Sequence, residues 1–309
     1  MIDRRLFMTA ALAAATGLPL RTALATAAIA DLDPRQAGRV RAPRDAEAIR
    51  AASGYRWVRD GAFTVAIAPH APPLSTYATD ARTVVGADPD YAQLVADALG
   101  RTLVLVPVAW ADWPLGLSSG KYDAVISNVG VTEKRKEKYD FTTYRLGLHG
   151  FYVRTASPIA KIAEPKDVAG LRIITGAGTS QERILLEWSR RNVAQGLKAT
   201  ELQYFDDAAA RIALLSGRAD AVLNPNAQLA YDAARDGRLR RVGLVNAGWP
   251  ANADVAIATR KGSGLADALT LATNTLIANG RYGQALARWG LQSEAVARAE
   301  TNPPGLPAF

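Results

Sequence analysis

Residues 106–128, VPVAWADWPLGLSSGKYDAVISN, and residues 202–226, LQYFDDAAARIALLSGRADAVLNPN, share one plan, and that repetition constrains the fold of this chain more than anything else in it. Each copy reads as a strand, an acidic helix start, an apolar helix, a Ser-Gly-basic turn, then Asp-Ala-Val continued by Ile or Leu. The turn glycines, Gly120 and Gly217, stand 97 positions apart. That is too far for a solenoid repeat and suits two copies of a domain-sized βαβ unit. A Ser-Gly helix stop explains the glycines alone; duplication also explains the matching strands on both sides. Each copy ends its second strand in a polar turn, Ser127-Asn128 and Asn224-Pro225-Asn226. Open parallel sheets bind ligands beyond the carboxyl ends of their strands, beside helix starts. Two such sheets facing each other predict a cleft between them.

The rest of the chain fits this reading. FTVAIA at 63–68 is a strand, and from Asp90 a helical stripe of Tyr91, Leu94, Val95, Ala98 and Leu99 runs to Gly100, with Asp90 and Gln93 at capping-box spacing. Residues 31–53 are polar and rich in Arg, Ala and Pro, and read as a leader before the fold. The first thirty residues read as a cleaved export signal: Arg4-Arg5, an apolar run at 6–20, and small-residue sites at 23–25 and 28–30. Arg4-Arg5-Leu6-Phe7-Met8 is similar to a twin-arginine signal. Without this segment 34 basic residues face 28 acidic ones, dispersed and not interleaved with aromatics in a run, which argues against a nucleic-acid groove. No later stretch approaches about 18 uninterrupted apolar residues, so the mature chain reads as soluble. The absence of cysteine removes disulfides, thiolate metal sites, Cys nucleophiles and a lipid-modified Cys anchor. A freely diffusing exported protein then implies a periplasm to retain it.

Several landmarks in order, namely Val85-Gly86-Ala87-Asp88 to Gly100, Ser119-Gly120-Lys121-Tyr122-Asp123-Ala124-Val125-Ile126, Thr132-Glu133-Lys134-Arg135 with Asp140-Phe141, Asp167-Val168-Ala169-Gly170-Leu171 with 178–182, and Gly280-Arg281-Tyr282 to Trp289-Gly290-Leu291, resemble the extracellular solute-binding proteins of the polar amino-acid type, family 3. The resemblance runs from about Phe63 to Leu291. It implies an α/β, periplasmic-binding-protein-like type II fold: two lobes, each a mostly parallel sheet flanked by helices, joined by crossovers near 144–147 and 252–255. The implied division is 1–30 signal, 31–53 leader, 54–145 plus 255–300 lobe one, 146–254 lobe two, and 301–309 tail. The implied role is the periplasmic capture component of an ABC importer, monomeric, delivering a small carboxylate to an inner-membrane permease, with no metal or organic cofactor.

The same resemblance makes Arg135 the carboxylate-gripping residue, through a planar fork suited to bidentate contact. It places Asn128 and Gly130 against the ligand, Gly130 replacing a usual hydroxyl. Thr179, Ser180 and Gln181 open a helix whose free N–H groups and dipole form an anion site, and a capping role for Thr179 or Ser180 is compatible with this. Asn224 and Asn226 read equally as ligand contacts or as a plain turn. Tyr77 reads either as the replacement for an aromatic wall where Ala71 is small or as a packing residue, and His70 borders the site. The acids that related binders place against the ligand's amino group are replaced here by Pro225 and Ala68. An ammonium taken out of water without a carboxylate partner is costly, so the expected ligand is a small carboxylate-bearing solute, an amino acid or a related organic acid, with the presence of an ordinary α-amino group left open. The rival reading is a periplasmic cyclohexadienyl-dehydratase-like enzyme, which needs a cleft acid or base; His70 is its candidate.

Overall fold

A computed structural model describes residues 31–205 and 207–307, so the export signal expected at 1–30 lies outside the described residues. The chain begins with α1 (Ala46–Ala51), β1 (Ala62–Ile67), the hairpin β2 (Thr76–Tyr77) and β3 (Val84–Val85), α2 (Ala87–Ala98), β4 (Thr102–Pro107), α3 (Trp113–Ser118), β5 (Ala124–Gly130), α4 (Glu133–Lys136) and β6 (Tyr139–Leu146). It then enters a second lobe of β7 (Leu148–Arg154), β8 (Arg172–Ile174), α5 (Ser180–Ala194), β9 (Glu201–Gln203), α6 (Asp207–Ser216), β10 (Ala221–Pro225), α7 (Asn226–Asp236) and β11 (Leu239–Asn246). It returns to the first with β12 (Asp254–Arg260), α8 (Leu265–Ala278) and α9 (Arg281–Arg288).

The two sheets have the same plan. Lobe one is ordered β4-β1-β5-β12-β6 and lobe two β9-β8-β10-β7-β11. In each, three parallel strands are followed by two antiparallel ones. The repeated segments supply β4 and β5 in one lobe and β9 and β10 in the other, flanking a central strand. Gly120 and Gly217 take φ values of +74° and +79°, where a side chain is strained. The repeated aspartate also does the same work twice. Asp123 accepts from the Thr64 backbone N–H at 2.8 Å and Asp220 from that of Arg172 at 2.8 Å, tying each copy to the start of its central strand.

The crossovers run side by side. Gly147 N–H donates to the Ala253 carbonyl at 2.7 Å and Ala247 N–H to the Gly147 carbonyl at 2.9 Å. A Cβ on Gly147 would come within 2.9 Å of the Ala253 carbonyl oxygen, so glycine permits this close approach.

The segment expected as a leader is part of lobe one. Ala48 is fully buried, and Leu32, Val40 and Ala42 pack on the same core as Tyr91, Leu94 and Trp289. Its arginines are polar only in isolation. Arg39 donates to Asp90 at 2.7 Å and Arg41 forks onto Asp97, two acids of α2 that only the folded lobe presents. The C-terminal tail also lies on lobe one, with Leu306 N–H donating to the Val131 carbonyl and Glu133 N–H to that of Leu306. Lobe two has its own core around Phe151, Ile184, Leu185 and Trp188. No helix of the described residues is long and apolar enough to cross a membrane.

Asp90 joins three parts of lobe one, accepting from Arg39 Nε, Arg288 Nε and Trp289 Nε1. Removing a buried partner strands the charges opposite it, which costs about 3 kcal/mol or more. Asp90→Ala is therefore expected to lower the unfolding free energy by about 3 kcal/mol, read from urea unfolding; a change below about 0.5 kcal/mol contradicts this role.

Candidate functional site

A cavity of about 580 Å³ opens at the carboxyl ends of β1, β4 and β5. Lobe one lines it with residues 68–75, Asp88, residues 108–110, Ser127 and Asn128, and lobe two with Pro225, Ala227 and Gln228. Its walls are set by backbone constraints. Ser127 Oγ accepts from Ala68 N–H at 2.9 Å, fixing the loop after β1, and Asn128 adopts a φ of +53° that turns the end of β5.

Arg135 sits in α4, where Thr132 Oγ1 caps the helix by accepting from Arg135 N–H at 3.1 Å. Its guanidinium donates to the Gly130 carbonyl at 2.7 Å and lies 5.8 Å from the ring centres of both Trp110 and Trp113. Trp110 also lines the cavity. Burial lowers the Arg135 pKa. No acid among the described residues pairs with it. A half-buried cation served by one carbonyl and two ring faces retains unused donors, an arrangement suited to an incoming anion.

The opposing lobe supplies the start of α5. Thr179 Oγ1 accepts from Glu182 N–H at 3.3 Å, while the Glu182 carboxylate accepts from Gly178 N–H and the Tyr204 hydroxyl, both at 2.6 Å. Ser180 Oγ shares a 2.8 Å hydrogen bond with His149 Nε2, and Gln181 Nε2 donates to Asn224 Oδ1 at 3.3 Å. Residues 178–180 line a separate groove of about 660 Å³ with Glu182, Arg183 and Leu186. Among the described residues no hydrogen bond or ion pair joins this loop to Arg135.

The remaining expected residues divide. His70 is exposed on the cavity wall, and Asn128 lies beside it. Gly130 borders Arg135, with space for a Cβ 3.8 Å from the guanidinium. Tyr77 lies in the β2–β3 hairpin, 45% exposed and paired with Val84, and is not part of the cavity wall. Asn226 is fully buried; its Oδ1 accepts from Tyr152 and its amide donates to Glu294 at 2.7 Å, a contact between lobes. It is spent on structure because the turn after β10 becomes the first residue of α7. Asn224 is engaged by Gln181.

Two residues that the sequence reading passed over stand at the centre. Asp88, 1% exposed, lines the cavity and takes the Tyr144 hydroxyl on Oδ1 at 2.7 Å. Arg145, 2% exposed, forms an ion pair with Glu294 and donates to Asn128 Oδ1. Burial pushes the Asp88 carboxyl up, against the pull of Arg145. An acid in the first turn of a helix has an ordinary explanation in the helix dipole, which hides Asp88 in the sequence.

A family model described as bacterial extracellular solute-binding proteins, family 3, matches residues 63–292. The L-cystine-binding protein TcyJ of Escherichia coli K12 is 34% identical over 154 residues, 49% of this chain and 54% of that protein. The probable ABC transporter extracellular-binding protein YckB of Bacillus subtilis is 25% identical over 175 residues, 56% and 58% of the two chains. The matched region thus spans about half the length of these curated relatives. Among solved structures, the second substrate-binding domain of Lactococcus lactis GlnP in an open conformation superposes with a TM-score of 0.65 at 19% identity, over 77% of this chain and 98% of that one. The L-cystine solute receptor of Neisseria gonorrhoeae, unliganded and open, gives 0.63 at 19%, over 77% and 95%. At these identities the likeness shows the fold, the two-lobed type II periplasmic-binding architecture.

His149 on β7 is buried, and burial together with Arg183 lowers its pKa to about 4. The unfolded chain protonates it near the ordinary 6.5, so between pH 4 and 6.5 the unfolded state binds more protons and stability rises with pH. The wild type is expected to gain up to about 3 kcal/mol across that window from this residue, and His149→Gln to lose that gain. Urea unfolding at pH 4.5 and 7 checks it; parallel pH profiles for the two proteins contradict it.

Proposed function

Because the chain belongs to the bacterial extracellular solute-binding proteins, family 3, we propose that it is the periplasmic substrate-binding component of an ABC importer, capturing a small carboxylate-bearing solute by lobe closure and presenting it to an inner-membrane permease. The signal-like segment at 1–30 and the lack of cysteine support a cleaved, unanchored periplasmic protein. One ligand per monomer is the simplest stoichiometry for one cavity between two lobes.

Arg135 carries the reading: a desolvated guanidinium without an acid, flanked by the tryptophan that walls the cavity. The carboxylate meets Arg135 from lobe one and the start of α5 from lobe two. Only a closed arrangement makes both contacts, so the ligand shifts the population toward closure. The hydrogen-bonded crossovers at Gly147 and 247–253 support a hinge between the lobes. The named relatives are binding proteins, and TcyJ binds L-cystine by its name. The dehydratase reading has weaker support, since His70 is exposed and no hydrogen bond orients its ring among the described residues.

Calorimetric titration with a panel of small carboxylates tests the assignment. Losing a charge-assisted contact costs about 1.5–3 kcal/mol, so Arg135→Ala is expected to weaken the best ligand about 10- to 100-fold. Unchanged affinity in Arg135→Ala would refute the grip, and turnover of a cyclohexadienyl carboxylate that disappears in His70→Ala would establish the enzyme instead.

A further inference from the structure

We propose that Ser293 of lobe one and Arg241 of lobe two form a latch that holds the lobes apart at Arg135 and α5, so that closure has to break it and the ligand-free equilibrium is set outside the cavity. The proposal rests on the lobe closure inferred above.

Contacts between the lobes are unevenly distributed. Arg135 and the start of α5, which closure brings together, share no hydrogen bond or ion pair among the described residues. Where the turn Gln292–Glu294 meets lobe two, the lobes are joined. Asn226, the first residue of α7, donates from its amide to Glu294 Oε1 at 2.7 Å and to Ser293 Oγ at 3.4 Å. Arg241 on β11 donates to the same Ser293 Oγ at 3.0 Å. Farther along α7, Ala227 and Tyr231 belong to the apolar cluster of lobe one, with Tyr91 and Trp289.

The two ends of this seam differ. Asn226 is fully buried, and its partner Glu294 is held by Arg145, two residues from the first crossover. That end is fixed and acts as the pivot. Arg241 is exposed and lies six residues before Ala247, about 20 Å along a strand. At that radius a lobe rotation of about 10° carries it roughly 3 Å, more than a hydrogen bond tolerates. This end is the catch. The strand is built for the contact: β11 is the outer strand of its sheet, and Val242 is an extra residue between Arg241, opposite Tyr152, and Gly243, opposite Phe151. Such a bulge re-aims the side chain beside it. Gly243 permits it, since a Cβ there would collide with the Ile162 carbonyl oxygen. Tyr152 in turn donates to Asn226 Oδ1 at 3.1 Å, which ties catch and pivot together.

The chain has no cysteine, so two introduced ones take dyes specifically. Leu115 and Ile212 hold equivalent places in the two copies, one on each lobe, 74% and 61% exposed. Leu115→Cys with Ile212→Cys, carrying a donor and an acceptor dye, reports the lobe separation of the ligand-free full chain by single-molecule energy transfer. Ser293→Ala and Arg241→Ala, at positions that are not buried, are each expected to raise the population at shorter separation about 3- to 10-fold. Each is also expected to tighten, by the same factor, the best binder among L-cystine and the twenty protein L-α-amino acids, because more molecules are already competent to bind. Ser293→Asp, which offers Arg241 a carboxylate, is expected to shift both quantities the other way. Unchanged populations in the two alanine variants overturn the latch, as does a shift toward longer separation. Energy transfer needs no ligand, so a chain that binds no carboxylate loses the capture reading while the populations still decide the latch.

Discussion

One buried guanidinium holds the working parts of this protein in register. Arg145 lies two residues before the first crossover, paired with Glu294 and bonded to Asn128 on the cavity wall. The other oxygen of Glu294 accepts from Asn226 in lobe two. A buried charge is tolerable only when its partners are in place. The strand entering the first crossover, the cavity wall, the segment after α9 and the first turn of α7 are therefore positioned by a single electrostatic requirement. Tyr144, the preceding residue, carries the connection to Asp88 and stacks on Tyr91 in the lobe-one core, with ring centres 4.5 Å apart.

Around that centre, duplication provides economy of design. Each lobe sets two repeated strands on either side of a central one and closes the arrangement with an aspartate and a left-handed glycine. The copies then diverge in what they add. Lobe one gains the N-terminal segment, α8 and α9, and with them Asp90's ion pairs. Lobe two keeps a smaller core about Trp188, with Trp249 packed edge-on against it at 5.9 Å.

Trp110 links the cavity to a cation behind it: the ring walls the cavity and lies 5.8 Å from the Arg135 guanidinium, which is desolvated by burial and has no acid beside it among the described residues. Asp88 lines the cavity directly, buried and bonded to the Tyr144 hydroxyl. In lobe two, in a groove separate from this cavity, the start of α5 has already committed several donors and acceptors to its own neighbours, Glu182 and His149 among them.

By itself the sequence determined the two-lobed plan and the carboxyl-end cleft. Those properties follow from local periodicity, a repeated turn and motif order, which are written along the chain. It read residues 31–53 as lying outside the fold because their arginines look solvated until α2 offers Asp90 and Asp97. It grouped Tyr77 and Asn226 with the site because spacing carries no record of which face of a hairpin or helix turns inward. Only the tertiary structure decided that Asp88 borders the cavity, buried beside Tyr144, and that Arg145 and Glu294 pair next to the first crossover. Burial and pairing among residues 57, 149 and 206 positions apart exist only once the chain has closed on itself.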